Sequence, residues 1–174
     1  MTAQPTSLSR PAYVVDGLIV AMLGAALLDT VTTWFALSHR LGSEGNHIAA
    51  VLFRHSAIWI PVFLLIRPSL VPFLPEIPRR TFAVFFLTLQ LLAGLNNLGG
   101  ILFHRYLIAE YLGRGFVYGV ALSLSAWFFL NALTGPALSP NARWRQILIL
   151  LGALVAFSLV DGFFFLLKYL WSAK

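Results

Sequence analysis

An aspartate stands inside an apolar run that is long enough to cross a bilayer, in the sequence Asp29-x-x-Thr32-Thr33. A second aspartate, Asp161, lies inside the last apolar run. An ionised carboxylate at membrane depth is costly, so such residues usually face the interior of a helix bundle and serve a function. Polar residues also join membrane helices by hydrogen bonds alone. The sequence leaves both roles open for Asp29.

Further polar residues extend this candidate site. Thr33 is four residues after Asp29 and therefore lies on the same helical face. Three candidates lie in the segment 42–47, which follows the first apolar run. Asn97 lies in the third apolar run, and His104 follows it by seven residues, at the end of that run. The predicted functional polar cluster comprises Asp29, Thr33, Glu44, Asn46, His47, Arg54, His55, Asn97, His104 and Asp161.

The chemistry of this cluster depends on which of its members meet. Carboxylates and imidazoles are ligands that Zn, Mn and Fe accept. Alternatively, Arg54 could neutralise Asp29 or Asp161 through a charge-assisted pair. Glu44 could serve only in the first turn of a helix. The residues that could hold a divalent metal, the one cofactor considered, are Asp29, Asp161, His55 and His104.

The composition indicates the class of protein. Of 174 residues, 59% are hydrophobic and 10% are charged, whereas about a quarter are charged in an ordinary soluble domain. The net charge of +6 comes from basic residues scattered between apolar runs, so nucleic acid is not an expected partner. The absence of cysteine excludes disulfides, thiolate metal sites and cysteine nucleophiles. The composition predicts an integral membrane protein in contact with membrane lipids.

Five apolar segments reach about 20 residues, the length that crosses the hydrocarbon core. The predicted fold is all-α, a polytopic membrane helix bundle. A flexible N-terminal segment is expected at 1–13 and a single transmembrane helical domain at 14–174. The predicted spans are about 14–37, 47–66, 81–103, 115–134 and 146–170.

Prolines and glycines predict local features of these spans. The segment 67–80 contains four prolines and is expected to follow an extended path at the interface. Pro61 is expected to kink the second span. The spacing Gly115-x3-Gly119-x3-Ser123 predicts a stripe for close helix packing in the fourth span.

The depth of the polar residues predicts where the site opens. The far face is defined here as the membrane face that the first span reaches at its end. Each predicted span carries a polar residue seven to nine residues from that face, or roughly 10–14 Å below it. A polar cavity open to the far face is therefore expected. Apart from Arg54, which lies within the second predicted span, the basic residues divide six and five between the two faces. The pair Arg79-Arg80 before a span gives a slight preference for a cytoplasmic N-terminus in the cell membrane.

A resemblance adds to this interpretation. The pattern Asp29-x-x-Thr32-Thr33, followed by Gly42-x-Glu44-x-Asn46 and by Asn97, resembles an uncharacterised family of small prokaryotic membrane proteins, catalogued as a domain of unknown function. The resemblance covers about residues 16–104. That family usually has proline after the asparagine, where this chain has His47. The resemblance implies a type of fold and supplies no activity.

Three functions remain open from the sequence. The first is a ligand-binding or lipid-binding protein, or an accessory subunit of a membrane complex, with other subunits or a second copy as partners. The second is a metal-dependent membrane hydrolase acting on a lipid-borne substrate, with Glu44 as general base. The third is a proton-coupled or ion-coupled transporter. Whether the chain is an enzyme is undecided, because neither His-Glu-x-x-His nor Gly-x-Ser-x-Gly is present.

Overall fold

The computed structural model describes residues 16–41, 47–106, 108, 112–135 and 138–172. Every regular element formed by these residues is helical, which confirms the all-α prediction. The predicted flexible segment 1–13 lies outside the described residues. The elements are α1 (Gly17–Ser38), α2 (His47–His55), α3 (Trp59–Leu70), a 3-10 turn (Val71–Phe73), α4 (Glu76–Phe103), α5 (Arg114–Thr134) and α6 (Pro140–Ser172).

Among the described residues, four helices are long and apolar enough to cross a membrane, which agrees with the predicted helix bundle. The second predicted span is instead divided into two shorter helices, α2 and α3. The prediction of five spans is therefore confirmed only approximately, with four helices of membrane length and two shorter helices in place of the second predicted span. The four continuous spans are Gly17–Ser38, Glu76–Phe103, Gly115–Thr134 and Pro140–Leu167.

The break in the second span lies before Pro61, which the sequence predicts only to kink it. The last α-helical bond of α2 runs from the Ser56 N–H to the Leu52 carbonyl at 3.1 Å. Pro61 has no N–H to give to the carbonyl of Ala57 four residues earlier. That carbonyl accepts the N–H of Ile60 at 3.1 Å. The chain therefore leaves the helix at 56–58, and Pro61 lies in the first turn of α3, where a missing N–H costs little.

The proline-rich segment 67–80 is mostly helical, so its predicted extended path is wrong. Helix α3 continues to Leu70 with Pro68 inside it, and α4 begins at Glu76. Pro68 cannot donate to the carbonyl of Leu64, but Gln90 on α4 donates its Nε2–H to that carbonyl at 2.7 Å. A neighbouring side chain thus replaces the hydrogen bond that the proline removes.

Contacts at both ends show that α1 and α4 run in the same direction. At the start of α4, Arg80 pairs with Asp16, the N-cap of α1, with 3.5 Å between Nε and Oδ2. At the opposite end, the Tyr106 hydroxyl donates to the Leu41 carbonyl at 2.9 Å. The chain must therefore return to its starting end between these helices. The broken span, α2 and α3, provides that return.

Helices α1 and α4 form the centre of the bundle, and α6 joins two apolar clusters on it. Helix α5 packs mainly against α4. Its predicted packing stripe, from Gly115 to Ser123, is exposed, and an added Cβ at Gly119 would meet nothing within 4 Å. The prediction that this stripe packs against another helix of the chain is therefore wrong.

Helix α6 contributes one residue, Ala153 or Phe164, to each of the two apolar clusters. The first cluster contains Ile19, Met22, Val71, Phe82, Ala83, Phe86 and Ala153; the second contains Ala49, Leu52, Phe63 and Phe164.

Candidate functional site

A hydrogen-bonded group of three predicted residues joins α1 to α4 inside the bundle. Asp29 is only 5% exposed. Its Oδ1 accepts from the Thr33 hydroxyl and from Asn97 Nδ2, both at 3.2 Å. Asn97 Nδ2 also donates to the Thr33 hydroxyl at 2.9 Å. Two neutral donors from two helices therefore hold one carboxylate oxygen in a defined orientation.

The close approach of α1 and α4 at this group requires Gly94. A Cβ at this position would lie 3.2 Å from the backbone nitrogen of Asp29 and 3.1 Å from Cγ of Leu28. Small residues allow membrane helices to come this close. Gly94 thus brings the backbone of α4 near enough for Asn97, three residues later, to reach across to α1.

The threonines of α1 divide into two kinds. Thr30 donates to the carbonyl of Ala26 at 2.7 Å, and Thr32 donates to that of Leu28 at 2.8 Å. Both bonds lie within the helix itself, as is common for buried threonine in membrane helices. Thr33 instead contributes to the Asp29 group.

Both α1 and α4 end with a residue in the left-handed conformation. Arg40, with φ of 56°, donates its N–H to the Leu37 carbonyl at 3.2 Å, and Leu41 donates to Ala36 at 2.8 Å. These two bonds form a Schellman motif, in which glycine is the usual left-handed residue. His104, with φ of 54°, ends α4 in the same way. The turns direct the chain back over the far ends of the two helices.

Tyr106 links these two turns. Its hydroxyl donates to the Leu41 carbonyl. A Cβ added at Gly100 would lie only 2.5 Å from Cε1 of the Tyr106 ring, so the ring packs directly against this glycine. Gly100 is three residues after Asn97, on the same side of α4. Tyr106 therefore lies between the Asp29 group and the far face. Burial raises the pKa of the Tyr106 hydroxyl above its usual value of 10.0, so the phenol stays a neutral donor.

Asp161 pairs with an arginine other than the one considered from sequence. Its Oδ1 accepts from Arg67 Nη2, an ion pair between α6 and α3. The Arg67 guanidinium also stacks over the Phe63 ring, 4.7 Å from its centroid. Arg54 is exposed on α2. Arg67 is three residues before the end of α3, so the pair lies toward the membrane face opposite the far face. The expected convergence of Asp161 on the Asp29 group is therefore not found.

The remaining predicted site residues do not join the Asp29 group in the described contacts. His55 ends α2 and His104 follows α4, and both are exposed. Glu44 and Asn46 lie outside the described residues, as does the His47 side chain, although His47 begins α2. Within the described ranges, no three His, Asp or Glu side chains gather to hold a metal ion. The proposed set of Asp29, Asp161, His55 and His104 does not form one.

Sequence reasoning missed four residues that shape this region. Gly100 and Tyr106 form one contact across the far face, and Gln90 and Arg67 form contacts between α3 and its neighbours. The pair Gly99-Gly100, followed within one or two turns by tyrosine, was an available sign of ring packing. A glutamine in an apolar run was an available sign of a backbone partner.

The fold defines a polytopic, helical membrane protein whose interior carries a carboxylate group between two parallel helices. No family model, curated protein or solved structure matches the chain.

Proposed function

We propose that this protein binds a small ligand or a lipid headgroup in the far half of the cell membrane, as a binding protein or an accessory subunit. The observation that carries the proposal is the Asp29 group. A carboxylate buried to 95% is held on one oxygen by Thr33 and Asn97, and deep carboxylates in membrane proteins usually serve a function.

The arrangement favours a ligand that donates hydrogen bonds or carries positive charge. A carboxylate has two oxygens and about four acceptor positions. Thr33 and Asn97 both bind Oδ1, so these two donors fix the orientation of the carboxylate. A charge-assisted bond from an ammonium or guanidinium group of a ligand is stronger than a neutral one.

Access to this group is expected from the far face. Asp29 is nine residues before the end of α1, or about 13 Å deep. Tyr106 lies above it, tied by one hydrogen bond to Leu41. The orientation proposed for the chain, with a cytoplasmic N-terminus, would open this site to the opposite side of the membrane. The family resemblance over 16–104, which includes Asp29 and Asn97, stays a prediction, because no family model matches the chain.

Matched threonine variants test the proposal against a purely structural role. The protein is purified gently from its own membrane, and bound small molecules and lipids are identified by native mass spectrometry. Asp29→Asn and Thr33→Val should lose the bound molecule while the protein remains folded. Thr32→Val is the control, because that hydroxyl bonds only within its own helix.

Two outcomes would contradict the proposal. One is a wild-type protein that carries no stoichiometric molecule under any gentle extraction. The other is an Asp29→Asn protein that loses thermal stability but keeps its bound molecule. Either would assign Asp29 to helix association. Elemental analysis of the same samples tests the hydrolase hypothesis, which requires a metal that disappears with Asp29→Asn.

A further inference from the structure

An open cleft lies between α1 and the break in the second span. Its volume is about 390 Å³, within the range of roughly 300–1,000 Å³ that is typical of small-molecule sites. It lies on a different side of α1 from the Asp29 group. The cleft is lined by Thr30, Val31 and Trp34 of α1 and by Ala57, Ile58 and Pro61.

The lining is suited to hydrocarbon. The polar groups of the lining are the Thr30 hydroxyl, which already donates to the Ala26 carbonyl at 2.7 Å, and the indole N–H of Trp34. Trp34 and Ile58 are 48% and 65% exposed, so the cleft opens sideways, toward the bilayer. A ligand that needs several hydrogen bonds would find few partners here.

The cleft is a built feature of the fold. Pro61 prevents a regular helix from continuing through 57–61, and the displaced segment 56–58 leaves α1 uncovered at Val31 and Trp34. Side-chain motion alone cannot close a gap that a backbone break creates. The bilayer must fill it, because empty apolar space forfeits dispersion contacts.

A basic residue, Arg54, precedes the cleft-lining residue Ala57 by three positions, on the far-face side of the cleft. Arg54 is exposed and lies in the last turn of α2. Its position is about 10 Å along α2 from His47, so its side chain can extend to headgroup depth. Guanidinium groups bind phosphate with paired hydrogen bonds.

We propose that the cleft is a binding site for one anionic phospholipid, with an acyl chain in the cleft and its phosphate and acidic headgroup at Arg54. The apolar lining selects a chain, and the charge of Arg54 selects an anionic headgroup. This inference does not depend on the Asp29 group.

Lipid retention measures this site directly. The purified full-length protein is stripped of lipid, mixed with phosphatidylglycerol and phosphatidylcholine of identical chains, and analysed by native mass spectrometry. The wild type should retain one phosphatidylglycerol with about tenfold preference, the ratio expected for one charge-assisted bond. Arg54→Gln should remove the preference, and Arg145→Gln, at an exposed position of α6, should keep it.

Filling the cleft tests the acyl-chain contact. Ala57→Phe should abolish retention of both lipids, whereas Ala126→Phe, at an exposed position of α5, should leave it unchanged. If Ala57→Phe does not fold, Val31→Phe replaces it. Equal retention of the two lipids by the wild type, or normal retention by the cleft-filling variants, would overturn the proposal.

The two proposals fail separately. Asp29→Asn should keep the preference for phosphatidylglycerol, because Asp29 does not line the cleft. Loss of the preference in Arg54→Gln and loss of retention in Ala57→Phe, with an intact Asp29 ligand, would support the cleft and leave the Asp29 proposal standing. Loss of the preference in Asp29→Asn, with the preference kept in Arg54→Gln, would overturn the cleft assignment.

Discussion

Tyr106 is the residue whose position organises the far face. It connects the turn after α4 to the turn after α1 through the hydrogen bond to Leu41, and its ring packs against Gly100. A neutral hydrogen bond of this type contributes about 1 kcal/mol. Because Tyr106 lies over the Asp29 group, its bond to Leu41 controls how closely the two turns are held above the proposed ligand site.

Removing the Tyr106 hydroxyl should lower thermal stability at neutral pH. We expect Tyr106→Phe to lower Tm by roughly 2–4 °C, the shift for about 1 kcal/mol in a chain of this size. Tyr118→Phe, at an exposed tyrosine of α5, should have no effect. Thermal unfolding in detergent checks both variants, and equal Tm values for wild type and Tyr106→Phe would contradict the contact.

The Tm difference between wild type and Tyr106→Phe should depend on pH. The folded-state pKa of Tyr106 is raised above 10.0, so the folded state holds this proton more tightly than the unfolded state. Its contribution is fully present below pH 10 and is lost as pH rises through the folded pKa. The Tm difference between wild type and Tyr106→Phe should therefore shrink in strongly alkaline buffer. A difference that grows there would contradict the assignment.

The broken span shows what prolines do at the scale of an element. Pro61 is near the start of α3 and Pro68 near its end, and in both cases another donor bonds to the carbonyl that the proline leaves without its N–H. For Pro68 the replacement comes from another helix, because Gln90 of α4 donates to the Leu64 carbonyl. The helical course of 67–70 therefore depends on α4 and could not be predicted from the proline content.

A double-mutant cycle should reveal this dependence. Gln90→Met removes the donor to Leu64 and should lower stability by about 1–2 kcal/mol. Pro68→Ala restores a backbone N–H four residues after Leu64, so Gln90→Met should cost clearly less in that background. The cycle is measured by thermal unfolding. Additive effects of the two substitutions would show that Gln90 does not replace the bond that Pro68 removes.

At the scale of the whole molecule, α6 is held on the bundle by two apolar clusters and an ion pair. It packs through Ala153 and Phe164 into the two apolar clusters, and Asp161 pairs with Arg67 of α3. Most of its other large apolar side chains are exposed, which is expected of a helix in contact with lipid. The ion pair therefore helps to set the position of α6 along the bundle.

Breaking this pair should destabilise the bundle more than removing it entirely. Asp161→Asn leaves the Arg67 guanidinium, 21% exposed, without its counter-ion, and should cost about 1–2 kcal/mol, less than for a fully buried pair. The double variant Arg67→Gln with Asp161→Asn should be more stable than either single variant. Thermal unfolding of the three proteins measures this. A double variant that is the least stable would contradict the account.

The sequence by itself determined the class of protein and the four helices of membrane length among the described residues. Apolar runs of membrane length form helices in any arrangement, because the backbone must satisfy its own hydrogen bonds in lipid. For the same reason, Asp29 and Thr33 were placed correctly on one face of α1 by their spacing.

Only the tertiary structure decided which polar residues meet. The rotation and separation of neighbouring helices depend on side-chain packing, such as the contact at Gly94, and hydropathy does not encode them. Packing brought Asn97 to Asp29 and gave Asp161 a different partner, Arg67. Depth along a span is a local property of the sequence, whereas proximity between spans is a property of the assembled bundle.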